Sequence, residues 1–299
     1  GEPIYLYNRV KATEEEILYN LGNGETVQIT SKGVEVIKTP ARVFIVDETD
    51  AEQCRPDLNV DPKELQEMLK PYINIIDIRS WIIFLTYMCV TFFDVNMPVL
   101  FLSGEKGSSK STCCRFMQSL INPKTTGLYH FPDNERDLGL LLAKDFFLCL
   151  DNTTGFGKAI ANLLCIACTG GVIRERKLYT NSETVTRSIR TKLVMNGLSL
   201  ISQQDDFLDR CVTIELLRID ASVRRTEGEI NREFEKIKPK IFGALCIAVS
   251  KAMAYKVEEL ENPIRMIDFE KKAIALGMAM GFTQKQVEQA YAEQKKEMN

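Results

Sequence analysis

The pattern of apolar and polar positions divides the chain into three stretches. Up to about residue 50, short runs alternate between apolar and polar residues and are separated by turn signals at 22–24 and 31–33, which predicts a small antiparallel β unit. From about residue 95, short apolar runs alternate with helical patterns, and from residue 222 the pattern is helical only. We therefore expect an α/β fold with a small β unit and linker (1–60), a parallel-sheet core (61–218) and a helical lid with C-terminal helices (219–299).

Five apolar runs in the middle stretch are the expected strands of the parallel sheet. They lie at 99–102, 127–131, 146–150, 191–195 and 211–216. Asp61-Pro62 supplies an N-cap and a proline at the first helical position, and predicts a helix start. Further helices are predicted at 77–93 and 158–169, and a hairpin at 174–189 with its turn at Asn181-Ser182.

Composition narrows the functional classes. The net charge of −3 gives no bulk attraction to nucleic acid, so any DNA contact must come from a local basic stretch. Nine scattered cysteines with a single histidine, His130, favour reduced thiols in the core over a zinc site. The longest uncharged apolar run, 81–93, is shorter than the roughly 20 residues of a membrane span, and no signal peptide is visible. We expect a cytoplasmic protein without a membrane partner.

The stretch 98–117 reads as an apolar run, a glycine-bearing turn and an amphipathic segment. Its turn fits the phosphate-loop pattern G-x-x-x-x-G-K-[ST], except that Ser109 replaces the glycine before the lysine. A left-handed conformation at Ser109 would cost about 1–2 kcal/mol. The loop residues are Gly104, Glu105, Lys106, Gly107, Ser108, Ser109, Lys110, Ser111 and Thr112.

In this pattern backbone N–H groups cradle the phosphates, the lysine reaches the β and γ oxygens, and the serine hydroxyl binds Mg²⁺. The following helix presents its positive end to the same anion. The pattern predicts a nucleoside triphosphate site. The alternative is a polar loop that only joins a strand to a helix.

Three polar residues flank later strands. Asp151 and Asn196 each follow a predicted strand, and Arg210 directly precedes one. Ligands in open parallel sheets bind at the carboxyl ends of the strands. We expect Asp151 to hold Mg²⁺ or its water, Asn196 to orient the attacking water, and Arg210 to reach the γ-phosphate of a neighbouring subunit. The alternatives are a helix N-cap, an Asx turn and a surface charge, respectively.

A basic stretch lies between Asp151 and Asn196. We predict that Arg174, Arg176 and Lys177 bind DNA phosphates, and Arg187, Arg190 and Lys192 extend the same stretch. The alternatives are a solvated hairpin face, or partners for Glu175 and Glu183 across subunits.

The order of phosphate loop, Asp151, Asn196 and Arg210 resembles AAA+ ATPases. More narrowly, the chain resembles the ATPase domains of replication proteins from bacteriophages, prophages and integrative mobile elements, which are similar to superfamily 3 and minichromosome-maintenance-like helicases. The matching stretches are GEKGSSKST (104–112), LDN (150–152), TGG (169–171), RKLYT (176–180), NG (196–197), DFLDR (206–210), RRTE (224–227), FGAL (242–245) and RMIDF (265–269).

The resemblance implies roles for individual residues. Lys110 and Ser111 would bind ATP and Mg²⁺, Asp151 would be the Walker B aspartate, Asn196 the first sensor and Arg210 an arginine finger acting in trans. Arg265 would be a second sensor that contacts the nucleotide, or else an exposed arginine at a helix start. Asn152 stands where most AAA+ enzymes have a catalytic glutamate, and an amide can position water but cannot take its proton.

The resemblance also implies a function. We expect an ATP-driven DNA helicase or translocase that assembles into a ring on single-stranded or forked DNA. The resembled helicases are hexamers, so we expect six subunits. The alternative is a non-motor loader or initiator that binds ATP in order to assemble on DNA. A small-molecule kinase is disfavoured because nothing in the chain resembles an acceptor-substrate lid.

Overall fold

The structure is a computed structural model that describes residues 6–176, 184–199 and 204–298. In chain order the strands are β1 (Tyr7–Asn8), β2 (Val10–Ala12), β3 (Ile17–Asn20), β4 (Glu25–Thr30), β5 (Gly33–Lys38), β6 (Phe44–Ile45), β7 (Val99–Ser103), β8 (Tyr129–His130), β9 (Phe147–Asp151), β10 (Gly171–Arg176), β11 (Thr184–Ile189), β12 (Lys192–Gly197) and β13 (Cys211–Glu215).

The helices are α1 (Leu65–Leu69), α2 (Ile78–Val90), α3 (Lys110–Ile121), α4 (Glu135–Lys144), α5 (Lys158–Thr169), α6 (Asp205–Leu208), α7 (Glu227–Ala254), α8 (Ile267–Ala279) and α9 (Gln284–Met298). Short 3-10 turns lie at Pro62–Glu64 and Ala221–Val223. Within the described residues no helix is both long and apolar enough to cross a membrane.

A five-stranded parallel sheet forms the centre of the molecule, in the order β13-β7-β12-β9-β8. β7, β9 and β12 are buried apolar strands, and their carboxyl ends lie at one edge of the sheet. This confirms the predicted fold class, and each of the five predicted strands is present within a few residues of its expected bounds. The predicted strand at 127–131 is the shortest of them, since only Tyr129–His130 pair with β9.

Helix α4 was not predicted. Asn134 accepts a hydrogen bond from the backbone N–H of Asp137 and starts the helix, while Leu138 and Leu142 are buried one turn apart. The signal was a short apolar stripe between charged residues, and it was too brief to establish a period.

The small β unit is an antiparallel meander of β2, β3, β4 and β5, as predicted, and β1 pairs with β6. One buried apolar cluster includes residues from all three predicted segments, such as Ile17, Trp81, Phe242 and Tyr291. Helix α2 lies in this cluster and is packed against α7, α8 and α9. The exact boundaries at residues 60 and 218 stay predictions.

The β unit is joined to the carboxyl end of α3 by buried polar side chains. The guanidinium of Arg9, which is 4% exposed, donates to Oδ1 of Asn122 at 2.9 Å. The hydroxyl of Tyr19 donates to the carbonyl of Ile121 at 2.8 Å. The amide of Gln53 donates to the carbonyls of Ser119 and Leu120, both at 3.0 Å. Because the last carbonyls of a helix lack partners within the helix, these side chains complete the end of α3.

Candidate nucleotide-binding site

The loop between β7 and α3 has the backbone shape that a phosphate loop requires. Ser109 is left-handed (φ 61°, ψ 32°), so the serine adopts the conformation that glycine favours at this point of the pattern. A Cβ atom on Gly104 would lie 2.5 Å from the carbonyl oxygen of Leu216, so only glycine fits there. The chain therefore retains the loop and carries the strain at Ser109.

The side chain of Lys110 curls back over this loop. Its Nζ donates to the carbonyls of Gly104 and Glu105 at 2.7 and 3.0 Å, and to Oγ of Ser108 at 3.3 Å. Partial burial lowers the pKa of Lys110, and the nearby Asp151 carboxylate opposes that shift. The ammonium is thus held within the curve of the loop, where an anionic group would meet it.

Asp151, Ser111 and Asn196 meet at the carboxyl edge of the sheet. Oδ1 of Asp151 accepts hydrogen bonds from Oγ of Ser111 and Nδ2 of Asn196, both at 2.7 Å. Oδ1 of Asn196 in turn accepts the backbone N–H of Asn152 at 3.1 Å. The parallel-sheet rule predicted this convergence, and the structure brings all three side chains together.

These groups fit Mg²⁺ better than a transition metal. The described residues contain no cluster of three or more His, Cys, Asp or Glu that could hold a metal ion. Mg²⁺ needs fewer protein ligands, because it keeps several waters and takes phosphate oxygens alongside one or two protein oxygens. The Ser111 hydroxyl and the Asp151 carboxylate are oxygen donors of that kind.

Asn152 is exposed and left-handed (φ 58°). Its backbone N–H donates to Asn196, and its side chain is open to solvent. His130 on β8 is the register partner of Asp151 and is also exposed. Asn152 carries an amide and His130 an imidazole, so neither supplies the carboxylate of the glutamate that the resemblance leads us to expect here.

Arg210 and Arg265 lie at the amino ends of the parallel strands, on the side opposite to the phosphate loop. The backbone carbonyl of Arg210 accepts the N–H of Val99, at the start of β7, at 2.8 Å. The guanidinium of Arg210 forms an ion pair with Asp206, and Arg265 donates to Oδ1 of the same Asp206 at 3.0 Å. The structure therefore brings Arg265 to Arg210 and not to the phosphate loop, because α8 begins beside the amino ends of the parallel strands.

The basic stretch divides into two parts. β10 and β11 form the predicted hairpin, and Arg174 on β10 is exposed. Arg176 ends β10, while Lys177 and the predicted turn lie outside the described residues.

The residues that follow the hairpin have structural partners instead. Arg190 pairs with Asp94. Lys192 is buried and donates to the carbonyls of Thr91 and Phe93, both at 2.7 Å, and burial lowers its pKa to about 7. Lys192 therefore does not extend a DNA-binding stripe, which corrects that expectation, while the exposed Arg190 stays a prediction.

A cleft of about 610 Å³ opens beside the phosphate loop, and sequence reasoning missed it. Gly107, Ser109 and Thr112 form its loop side. Three arginines from the segment after β13, Arg218, Arg224 and Arg225, line the cleft as well. Only a partial signal was available: β13 ends beside β7, but the segment that carries the arginines after Glu215 has no clear period.

Among known protein families, one matches this chain. The profile described as "Actinomycete integrative conjugative element replication protein" matches residues 71–297. The A form apo structure of the NrS-1 C-terminal region is similar, with 13% identity and a TM-score of 0.44 over 74% of this chain and 64% of that one. A small-molecule-bound JCV helicase has 14% identity and a TM-score of 0.40 over 64% of this chain and 55% of that one. The chain thus spans less than two thirds of the length of either structure, and no curated protein matches it.

The left-handed backbone at Ser109 generates a stability prediction. Ser109→Gly should raise the free energy of unfolding by up to about 1 kcal/mol, because relief of the strain exceeds the entropy cost of glycine. Ser109→Val should lower it by roughly 1–2 kcal/mol. Urea unfolding measures both.

Ser119→Gly is the matched control. Ser119 lies in the right-handed helix α3, so the same change there should destabilise the protein by about 0.5 kcal/mol or more. If Ser109→Gly were as destabilising as Ser119→Gly, the loop would not be strained at Ser109.

Proposed function

The chain belongs to the family of actinomycete integrative conjugative element replication proteins, and we propose that it is an ATP-hydrolysing motor that unwinds or moves along DNA during replication of such an element. The observation that carries the proposal is the convergence of Ser111 and Asn196 on one oxygen of Asp151. This cluster lies beside a loop whose lysine is held at its centre. Such an arrangement suits phosphoryl transfer, in which positioning and charge stabilisation supply most of the rate.

Each residue of the cluster has a proposed task. The backbone of the loop and Lys110 bind the phosphates of ATP, and Ser111 and Asp151 hold Mg²⁺. The ion neutralises charge that develops on the phosphate oxygens. Asn196 is buried, and its Nδ2 donates to Asp151 and to Sγ of Cys114, so its orientation is set before a water molecule arrives and the remaining lone pair of Oδ1 is the group left to bind that water.

Arg210 is proposed to act on the nucleotide of a neighbouring subunit. It lies at the opposite edge of the sheet from its own phosphate loop, which supports a role in trans and therefore a ring. Asp206 binds both Arg210 and Arg265. We extend the proposal to Arg265 as a second cation facing the neighbour, in place of a sensor within its own subunit. Six subunits are what the resemblance to hexameric helicases suggests.

The hairpin β10–β11 is proposed to contact single-stranded or forked DNA through Arg174, Arg176 and Lys177. The exposure of Arg174 supports this assignment. The family supports a role in replication, in which DNA is the natural partner.

A non-motor loader or initiator remains the second candidate function. The observation that favours it is Asn152, an exposed amide where a general base would be expected. A nucleotide switch needs tight ATP binding and slow hydrolysis. DNA-stimulated ATP turnover together with strand separation would support the motor, whereas ATP-dependent assembly on DNA without turnover would support the switch.

The first test concerns nucleotide binding. Lys110→Ala should abolish detectable ATP binding in calorimetry while leaving the melting temperature within a few degrees of the wild type, because the side chain is a charge contact rather than a packing one. Lys236→Ala, an exposed lysine on α7, is the control and should bind ATP normally. Unchanged ATP affinity in Lys110→Ala would reject the phosphate-loop assignment.

The second test concerns Arg210. Arg210→Ala should bind ATP normally and hydrolyse it slowly, since an arginine finger contributes about 10³–10⁵ in rate. Mixing Arg210→Ala with Lys110→Ala subunits should recover turnover at sites that pair an intact loop with an intact finger. Each variant alone is the control. Absence of recovery in demonstrably mixed assemblies would exclude a shared site.

The third test concerns the hairpin. Replacing Arg174, Arg176 and Lys177 by alanine should weaken single-stranded DNA binding and flatten its salt dependence by about 0.7 in slope per lost contact. Basal ATP hydrolysis should persist while unwinding is lost. Alanine at the exposed Lys251, Lys271 and Lys285 removes the same charge and should leave DNA binding unchanged. Intact unwinding in the hairpin variant would remove these residues from the mechanism.

A further inference from the structure

The cleft beside the phosphate loop has an apolar wall built from two segments. Hydrogen bonds join the segments, since the backbone N–H of Leu217 donates to the carbonyl of Asn74 at 3.2 Å and Nδ2 of Asn74 returns one to the carbonyl of Leu217 at 2.8 Å. Large apolar side chains remain open to solvent along this wall, with Ile76 72% and Val223 66% exposed. The cleft combines this apolar wall with charged side chains, among them Lys70, Asp220 and the arginines. The apolar wall suits the flat, apolar faces of a nucleoside.

Two guanidinium groups reach from the wall toward the phosphate loop. A Cβ atom built on Gly107 would lie 3.0 Å from Nη2 of Arg224 and 3.9 Å from Nε of Arg218. Nε of Arg224 donates to the carbonyl of Ile219 at 3.2 Å, which directs the side chain over the loop. A larger residue than glycine at position 107 would meet these cations.

The next arginine along the chain, Arg225, has a structural role in this segment. Arg225 forms an ion pair with Glu233 and donates to the carbonyl of Pro71. In the part of the chain that the structure describes, Arg218 and Arg224 have no such carboxylate partner at salt-bridge distance. Asp220 also lines the cleft, and hydrogen bonds from Ser222, with a smaller contribution from the charge of Arg224, lower its pKa. Two cations that form no ion pair with a described carboxylate therefore converge on the proposed phosphate loop.

The two sides of the loop indicate which phosphates these cations would meet. Ser111 faces Asp151, which is the Mg²⁺ side of the proposed site. Gly107, Ser109 and Thr112 face the cleft. In phosphate loops the metal and the lysine serve the β and γ groups, while the loop backbone cradles α and β. The cleft side is therefore the α-phosphate and nucleoside side.

We infer that Arg224 and Arg218 bind the α- and β-phosphates of the nucleotide held by their own subunit, and that the cleft takes its nucleoside. The inference rests on the proposed nucleotide site and assigns it two cations that the sequence motif does not contain. Under this inference Arg218 and Arg224 contact the nucleotide bound by their own subunit. Arg210 and Arg265 lie at the other end of the parallel strands, away from that nucleotide.

The test uses calorimetric titration of the full chain with ATP, ADP and inorganic tripolyphosphate, each with Mg²⁺. Arg224→Ala should weaken ATP and ADP by a similar factor of about ten- to a hundredfold, as expected for loss of a charge-assisted hydrogen bond. Arg218→Ala should have a smaller effect in the same direction, because its guanidinium lies farther from the loop. Arg224→Lys should restore part of the affinity, since the charge returns without the planar fork.

Two further variants distinguish phosphate binding by the arginines from nucleoside binding by the apolar wall. Val223→Ser should weaken ATP but not tripolyphosphate, because it alters only the apolar wall, whereas Arg224→Ala should weaken both. Arg232→Ala, an exposed arginine on α7, should leave all three ligands unchanged. Melting temperatures show whether each variant is folded.

The outcomes distinguish this inference from the proposed function. If Lys110→Ala abolishes ATP binding and Arg224→Ala leaves it unchanged, the inference is overturned and the phosphate loop stands. If Lys110→Ala also binds ATP normally, the nucleotide site itself is rejected. Loss of ATP affinity with ADP affinity intact would place Arg224 on the γ-phosphate and overturn the assignment. Unchanged ATP affinity in Val223→Ser would remove the nucleoside from the cleft.

Discussion

A single carboxylate oxygen holds the proposed catalytic centre together. Oδ1 of Asp151 accepts from Ser111 on α3 and from Asn196 on β12, so one atom joins a helix and two strands. Charge-assisted hydrogen bonds of this kind are stronger than neutral ones. The sheet makes the convergence possible, because parallel strands deliver their carboxyl ends to one edge. The geometry of the site therefore depends on the register between β7, β9 and β12.

The parts of the site that lie at strand ends could be predicted from sequence. Asp151 and Asn196 each follow an apolar run, and the edge rule for parallel sheets then places them together. The conformation of Ser109 followed from the loop pattern in the same way. In each case the backbone decides where the side chain lies, and the backbone is what hydrophobic periodicity and turn residues report.

The residues that sequence reasoning misplaced or missed owe their positions to tertiary packing or to irregular segments. Arg265 precedes a helix, as predicted, but the position of that helix on the sheet depends on how α8 and α9 pack around α2. Lys192 looked like part of a basic stripe, and only its burial beneath the end of α2 shows that it satisfies two carbonyls. Arg218 and Arg224 lie in a segment without a clear period, and their direction depends on hydrogen bonds within it.

The polar contacts at the far end of α3 bear on how such a chain can be divided. The helix that begins at the phosphate loop ends on Arg9, Tyr19 and Gln53, all supplied by the first 60 residues. A shorter piece that starts at α1 would take these partners from the carbonyls of that helix end and would also remove Ile17, Tyr19 and Val27 from the main apolar cluster. The β unit is thus not a detachable appendage, and recombination between related elements would have to inherit it together with the phosphate loop.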